Sequence, residues 1–220
     1  PPAVAMPDFP SPALSGRPIG DFATIDAALQ RDGGPLTLAW AEFSLRSHLQ
    51  PIVSFSHRSV VGHEGLVRAR LADGTAVAPY TLLREADSAA ELIELDRCCR
   101  LLHIAQTAAW GCDGYLFLNM HPLAFASLAA TDCATFMREA CATLGLPAER
   151  IVIEITEDVL TDDSAFESSV AYLRELGCRI ALDDFGAGHS NFDRVWRLKP
   201  DIVKLDRDFA TRAASDEAAR

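Results

Sequence analysis

The hydrophobic positions of this chain fall into two rhythms, and the switch between them sets its organisation. Residues 22–31 (FATIDAALQR) space their apolar side chains as a short amphipathic helix, which stops at Gly33-Gly34-Pro35. A second helical stretch is expected around residues 37–46. LQPIVSF (49–55) and VVGHEGLVRAR (60–70) read as strands joined through polar Ser56-His57-Arg58-Ser59, and Asp73-Gly74 marks a turn. Leu92, Leu95, Cys99, Leu102 and Ala105 recur at helical spacing and predict a helix over 89–110.

From residue 115 short apolar runs alternate with helical stretches. YLFLNM (115–120), IVIEIT (151–156), RIALDDFG (179–186) and DIVKLDRDF (201–209) are the runs. Helices are expected over 124–144 and 164–176, with a short one near 191–198, under tight turns at Gly145, Gly177 and Lys199-Pro200. Apolar strands alternating with helices predict an α/β fold with a parallel sheet. No G-x-G-x-x-G or G-x-x-x-x-G-K-[ST] follows a strand, so a nucleotide cradle of either type is unsupported.

Six polar residues interrupt these runs: Glu64, Asn119, Glu154, Asp183, Asp184 and Lys204. An isolated buried charge is very costly, so each needs a partner. Any one of them alone could be a structural ion pair. Five oxygen donors and one amine at the C-terminal ends of successive strands suit a shared site, because those ends converge on one face in α/β barrels. Carboxylate and amide oxygens without His or Cys select hard cations, Mg²⁺ or Mn²⁺ rather than zinc. The residues alone read as a metal-dependent hydrolase or lyase site.

Charge changes this picture little at first. Of 220 residues, 31 are acidic and 20 basic, a net charge of −11, which disfavours a duplex nucleic-acid groove and is ordinarily a solubilising surface. No stretch has the length of a membrane span, and the start lacks the layout of a signal peptide. Six of twelve prolines lie in the first eighteen residues, so residues 1–20 read as a linker, and without an initiating Met the chain reads as a piece of a longer polypeptide. Six cysteines without a C-x-x-C pair fit a reducing, cytoplasmic setting.

QPIV (50–53), E-G-L-V-R (64–68), LNM (118–120), EITE (154–157), DDFGAGHSN (183–191) and VKLDRDF (203–209) together resemble the EAL domain, a family of bacterial cyclic di-GMP phosphodiesterases and receptors. The resemblance covers about residues 42–209. It implies a modified TIM (β/α)₈ barrel whose first strand is antiparallel to the rest. About six of eight strands would lie in this chain: leading helices over 21–46, then the EAL domain over 47–220 without its C-terminal strands and without a further glutamate on the seventh. It implies two divalent ions, Mg²⁺ or Mn²⁺, on Glu64, Asn119, Glu154, Asp183 and Asp184, with Glu64 and Lys204 as the catalytic pair. Gln50, Arg68 and Asp96 would contact the dinucleotide. Glu157, Phe185 and Gly186 would belong to a loop that couples dimerisation to the metals.

The implied activity is hydrolysis of cyclic di-GMP to linear pGpG. The implied assembly is a homodimer, with a sensor or GGDEF-type domain as the kind of fused partner the resemblance allows. The alternative is a degenerate domain that binds cyclic di-GMP or a protein partner as a receptor. Lys204 is often given the role of base in this family. Among so many carboxylates its charged form is favoured, so it is expected to remain an ammonium that holds the water or stabilises charge. Gly65 replaces the alanine of E-A-L, and glycine is expected to loosen the strand that aims Glu64. Ala187, His189 and Asn191 also depart from the usual loop.

Overall fold

A computed structural model describes residues 20–31, 34–126, 130–156, 164–185, 195, 198–206 and 211. The chain enters through helix α1 (Phe22–Ala27), capped by Asp21, whose carboxylate accepts from Thr24 N at 2.8 Å. Strand β1 (Leu29–Gln30) pairs antiparallel with β2 (Thr37–Trp40), and β2 with β3 (Phe43–Ser54). Residues 37–46 are therefore strand, not the expected helix, and the helix at 22–31 ends at Ala27. The physical reason is burial with a period of two: Leu36, Leu38 and Trp40 are buried on one side of a turn at Ala41-Glu42, and Phe43, Leu45 and Ser47 on the other. The expected boundary at 46/47 falls inside β3, so the leading segment shares one sheet with the strands after it.

Strand β4 (Ser59–Arg70) runs antiparallel to β3, and the two-residue β5 (Ala76–Val77) adds to its far end. After α2 (Pro79–Arg84) comes the long helix α3 (Ala89–Trp110), matching its expected bounds. Ser88 caps it by accepting from Glu91 N, while Glu91 accepts in return from Asp87 N at 2.9 Å; Gly111, left-handed at φ 61°, ends it. Then β6 (Tyr115–Asn119), α4 (Pro122–Ala126), α5 (Ala130–Leu144), β7 (Ile151–Thr156), α6 (Ser164–Leu176), β8 (Arg179–Phe185) and β9 (Ile202–Leu205) complete the order. The single helix expected over 124–144 is described as α4 and α5. Most of the helix expected near 191–198 lies outside the described residues.

The sheet runs β1-β2-β3-β4-β6-β7-β8-β9. Strands β4, β6, β7, β8 and β9 are mutually parallel and β3 is antiparallel to β4, the strand direction the family resemblance implies. Among the described residues the sheet does not close into a barrel. The helices cover one face, where Leu116, Leu118, Ile151, Ile153, Ile155, Ile180 and Leu182 join the main core. On the opposite face Phe117, Val152 and Ala181 form a smaller apolar cluster with Ile52, Tyr115 and Ile202. Strands buried on both faces explain the nearly continuous apolar runs, and why a polar residue inside one is informative.

Candidate active site

Register puts the expected residues on the face opposite the helices. Gln50 pairs with Glu64, Glu64 lies beside Phe117, Asn119 beside Glu154, and Thr156 beside Asp183. On their own strands Asn119, Glu154 and Asp183 each lie two residues beyond Phe117, Val152 and Ala181 of the small apolar cluster, toward the C-terminal ends of the parallel strands, and Glu64 stands level with Phe117. Lys204, from β9, reaches into the middle of the set. Its Nζ lies 2.6 Å from Glu154 Oε1, 3.0 Å from Asp183 Oδ2 and 3.5 Å from Glu64 Oε2. Asn119 Nδ2 donates to Glu64 Oε1 at 3.4 Å.

Asp183 and Asp184 would alternate faces in a regular strand. The β8–β9 register slips between Leu182 and Phe185, so two residues oppose one, and Asp184 takes a left-handed φ of 54°. Its N–H donates to Asp183 Oδ1 at 3.0 Å. The bulge re-aims Asp184 so that it feels the charges of Asp183, Lys204 and Glu64. Burial, reinforced by Asp183 and Asp206, raises its carboxyl pKa.

Glu154 is the most enclosed of the group, with 2% of its surface exposed. Burial pushes its pKa up to about 7 against the pull of Lys204, with Glu64 and Asp183 adding to the rise. Burial works against the charge on Lys204 as well, but hydrogen bonds and charges from Glu154 and Asp183 outweigh it and hold the ammonium above its ordinary range. Glu154 Oε2 is buried with no hydrogen-bond partner among the described residues.

That orphaned oxygen, within a set of hard carboxylate and amide donors, fits a divalent cation. Among the described residues no three acidic, histidine or cysteine side chains stand at metal-holding spacing. The carboxylates close on the ammonium instead.

Arg68 lies four residues, roughly 13 Å, along β4 from Glu64 on the same face. It is half-buried, with Nη1 donating to Val67 O at 2.9 Å. Asp96 is not on this face. It sits on α3, buried, with Oδ2 2.7 Å from Arg100 Nη2 and Oδ1 accepting from His121 N at 2.9 Å. Its carboxylate is taken up by a fully buried guanidinium, so it braces the segment after Asn119 and does not line the cleft. Phe185 ends β8 and packs against the main core; Glu157 and Gly186 lie outside the described residues.

Gly65 also reads differently in three dimensions. It faces α3, and a Cβ there would lie 2.6 Å from His103 Cγ. His103 is buried, with Nδ1 2.7 Å from Ser47 Oγ. The glycine makes room for this ring directly behind Glu64, and the strand is packed, not loosened. Sequence reasoning missed His103 because nothing local links it to Gly65. It also missed Arg46, His48 and Arg70, although their alternation with Gln50 and Arg68 puts them on the site's face.

A family model for the EAL domain matches residues 36–220. The chain is 30% identical over 168 residues to a protein of Escherichia coli K12 named as the probable cyclic di-GMP phosphodiesterase PdeI, covering 73% of this chain and 21% of that protein. It is 30% identical over 190 residues to an uncharacterised protein of Azorhizobium caulinodans, covering 80% and 25%. It thus spans about a quarter or less of the length of these relatives. A standalone EAL protein from Vibrio cholerae, solved with cyclic di-GMP bound, superposes with a TM-score of 0.70 at 26% identity, covering 82% of this chain and 73% of that one. Klebsiella pneumoniae BlrP1 in a calcium and cyclic di-GMP complex gives 0.66 at 26% identity, covering 75% and 41%. With the fold, the strand-end carboxylates and the family match in agreement, this chain belongs to the EAL domain family.

Proposed function

We propose that this domain hydrolyses cyclic di-GMP to linear pGpG with two divalent cations, Mg²⁺ or Mn²⁺. The observation that carries the reading is the convergence of Glu64, Glu154 and Asp183 on Lys204, with Glu154 Oε2 left unsatisfied. Glu64, Asn119, Glu154, Asp183 and Asp184 would hold the ions. Bound there, divalent ions supply Lewis acidity, which lowers the pKa of an attacking water and neutralises charge developing on phosphorus oxygens and the leaving 3′-oxygen.

The chain's own groups then have distinct tasks. Lys204 stays an ammonium and donates hydrogen bonds to the water or the developing oxyanion; as a base it would first have to lose a proton that its carboxylates hold in place. Arg68 offers two parallel N–H donors to a phosphate oxygen, and Gln50, exposed opposite Glu64, offers an amide to the ligand. Asp184 is aimed by the β8 bulge, and the loop of Glu157, Phe185 and Gly186 is proposed to link the site to a homodimer.

Turnover of cyclic di-GMP with Mn²⁺ or Mg²⁺, followed by chromatography of pGpG, tests this. We expect Asp183→Asn and Glu64→Gln to lower kcat by roughly 10²-fold or more. No product from folded protein with either metal would overturn it.

A second reading is favoured by the ammonium at the centre of the cluster, which partly neutralises the carboxylates without metal. In that reading the domain is a receptor for cyclic di-GMP or a protein partner; chelator-resistant binding with no turnover would support it. The cytoplasm is the proposed setting, in keeping with six unpaired cysteines. Fusion to a sensor or GGDEF-type domain is proposed too. Among the described residues no helix is long and apolar enough to cross a membrane.

A further inference from the structure

The β4–β6 ladder ends at Gly65 and Leu118, one residue short of Asn119, which therefore pairs on one side only, with Glu154 of β7. Its side chain does not fix itself. Among the described residues its one hydrogen bond is the 3.4 Å contact to Glu64 Oε1, beyond the usual range for a strong bond. The aim of the amide is set instead by the backbone that follows. Met120 N donates to Glu154 O at 3.3 Å, and His121 N donates to Asp96 Oδ1 at 2.9 Å, the shorter of the two tethers.

Asp96 brings to this N–H a carboxylate that is itself held. Arg100 Nη2 lies 2.7 Å from Asp96 Oδ2, and both side chains are buried. Arg100 Nη1 donates to Cys133 Sγ at 3.6 Å, and Cys133 Sγ to Met120 Sδ at 3.9 Å. One guanidinium thus reaches both residues that follow Asn119. It also lies 5.6 Å from the centre of the Phe136 ring, which Arg97 approaches at 5.3 Å and Phe22 of α1 meets edge-on. Stability alone does not call for such a pair. Two apolar side chains of similar size fill a buried site as well or better, because neither charge has to leave water. What they cannot supply is an acceptor for the His121 N–H, and a backbone donor left without one obliges the turn to move.

We propose that Asp96, locked by Arg100, is a positioning residue for Asn119: it holds the turn after β6 so that the Asn119 amide stays beside Glu64 and Glu154. Groups behind a metal ligand raise affinity by fixing its orientation. The consequence for cation binding rests on the metal-dependent function proposed above; the consequence for the Asn119 side chain does not.

Two double variants separate positioning from packing. Asp96→Leu/Arg100→Met removes the charges and the acceptor together. Asp96→Asn/Arg100→Met removes the charges but keeps a side-chain oxygen within reach of His121 N. Each is compared with wild type by thermal melts in EDTA, by titration of Tm with Mn²⁺, and by the Asn119 side-chain amide resonances in EDTA, identified by their loss in Asn119→Ala. We expect the leucine variant to melt cooperatively, to need roughly tenfold or more Mn²⁺ for half-maximal stabilisation, and to show the Asn119 signals displaced. In the asparagine variant both readouts should return close to their wild-type values. A structural role alone would move Tm and neither of these. Should leucine prevent folding, Asp96→Ala/Arg100→Met removes the acceptor without adding bulk and takes its place in the comparison. Asn119 signals and a Mn²⁺ requirement unchanged without the acceptor, or altered equally in both variants, would overturn the proposal. If wild type itself ignores Mn²⁺, the metal-dependent function fails, and the Asn119 signals in EDTA still uphold or overturn the positioning by the same comparison.

Discussion

Replacing Gly65 by alanine adds one methyl group at a place that cannot yield. The new Cβ would lie 2.6 Å from His103 Cγ, 2.9 Å from Cδ2 and 3.0 Å from Cβ, against the roughly 3.5–4.0 Å of an ordinary carbon contact. Strand β4 is held at this point from both sides, Gly65 pairing with Leu49 of β3 and Leu118 of β6. The ring is held by Ser47, and its Cβ belongs to a helix embedded in the core. Overpacking of this kind costs about 1–3 kcal/mol. For a chain of this size that is a fall of roughly 3–10 °C in Tm.

His103→Ala alone leaves a cavity and an unpaired Ser47 hydroxyl, a loss of about 2–4 kcal/mol. In the double variant the methyl group enters the vacated space, where the remaining 3.0 Å approach needs only a small shift. The double variant should therefore lose less than the sum of the singles, with a coupling of about 1–2 kcal/mol measured by denaturant unfolding of all four proteins. Glu64 precedes Gly65, so a displaced strand also misplaces its carboxylate. The Mn²⁺ concentration for half-maximal thermal stabilisation should rise in Gly65→Ala and fall back in the double variant. A neutral Gly65→Ala, or strictly additive losses, would refute the wedge between α3 and β4.

The same geometry sets three further outcomes. Burial, aided by the charge of Arg68, holds the His103 pKa down at about 3, against about 6.5 when unfolded. Its contribution to stability is complete above pH 6.5 and is lost as pH falls toward 3, on the order of 4 kcal/mol; the gap in unfolding free energy between wild type and His103→Ala should narrow on acidification, and a constant gap would contradict the buried neutral ring. Asp96→Ala strands the Arg100 charge and should cost about 3–5 kcal/mol by denaturant melt, whereas Asp96→Leu/Arg100→Met recovers most of it; equal losses would show that the pair is not what Asp96 provides. Lys204→Ala leaves Glu64, Glu154 and Asp183 unneutralised, so in EDTA its Tm should fall by several degrees while Mn²⁺ raises it more than in wild type, and an unchanged metal response would contradict the ammonium as their counter-ion.

The parts of the fold that were legible in the sequence are those where burial is two-sided or strictly periodic. IVIEIT and the helix over 89–110 are examples, since five of the six residues of the first and most of the second are buried. Residues 36–45 misled for a definite reason. Leu36, Leu38 and Trp40 alternate, as do Phe43 and Leu45, but the turn at Ala41-Glu42 shifts the phase by one. Leu36, Trp40 and Phe43 then fall at i, i+4 and i+7, and two strands imitate one helix face. Glu64, Asn119, Glu154, Asp183 and Lys204 were legible because each breaks an apolar run. Asp96 misled because its helical position shows that it is buried but not against what; Arg100, four residues on, was the available signal. The Gly65–His103 contact joins residues far apart in sequence, and no local pattern encodes it.

The two charged regions of this face make ligand and metal binding interdependent, and salt dependence exposes how. Glu64, Glu154, Asp183 and Asp184 bring up to four negative charges to one end, and Lys204 returns one. Arg46, Arg68 and Arg70 bring three positive charges to the other. Without divalent ions a phosphorylated ligand is repelled at the first end and attracted at the second. With two such ions in place the first end becomes net positive and both attract. EDTA should therefore weaken cyclic di-GMP binding and leave a residual, arginine-dominated component. That residual component rests largely on the exposed charges of Arg46 and Arg70, so raising ionic strength should screen it strongly, and more so in wild type than in Arg46→Gln/Arg70→Gln. Residual binding that ignores both salt and the arginine substitutions would mean that the cationic end does not see the ligand's phosphates.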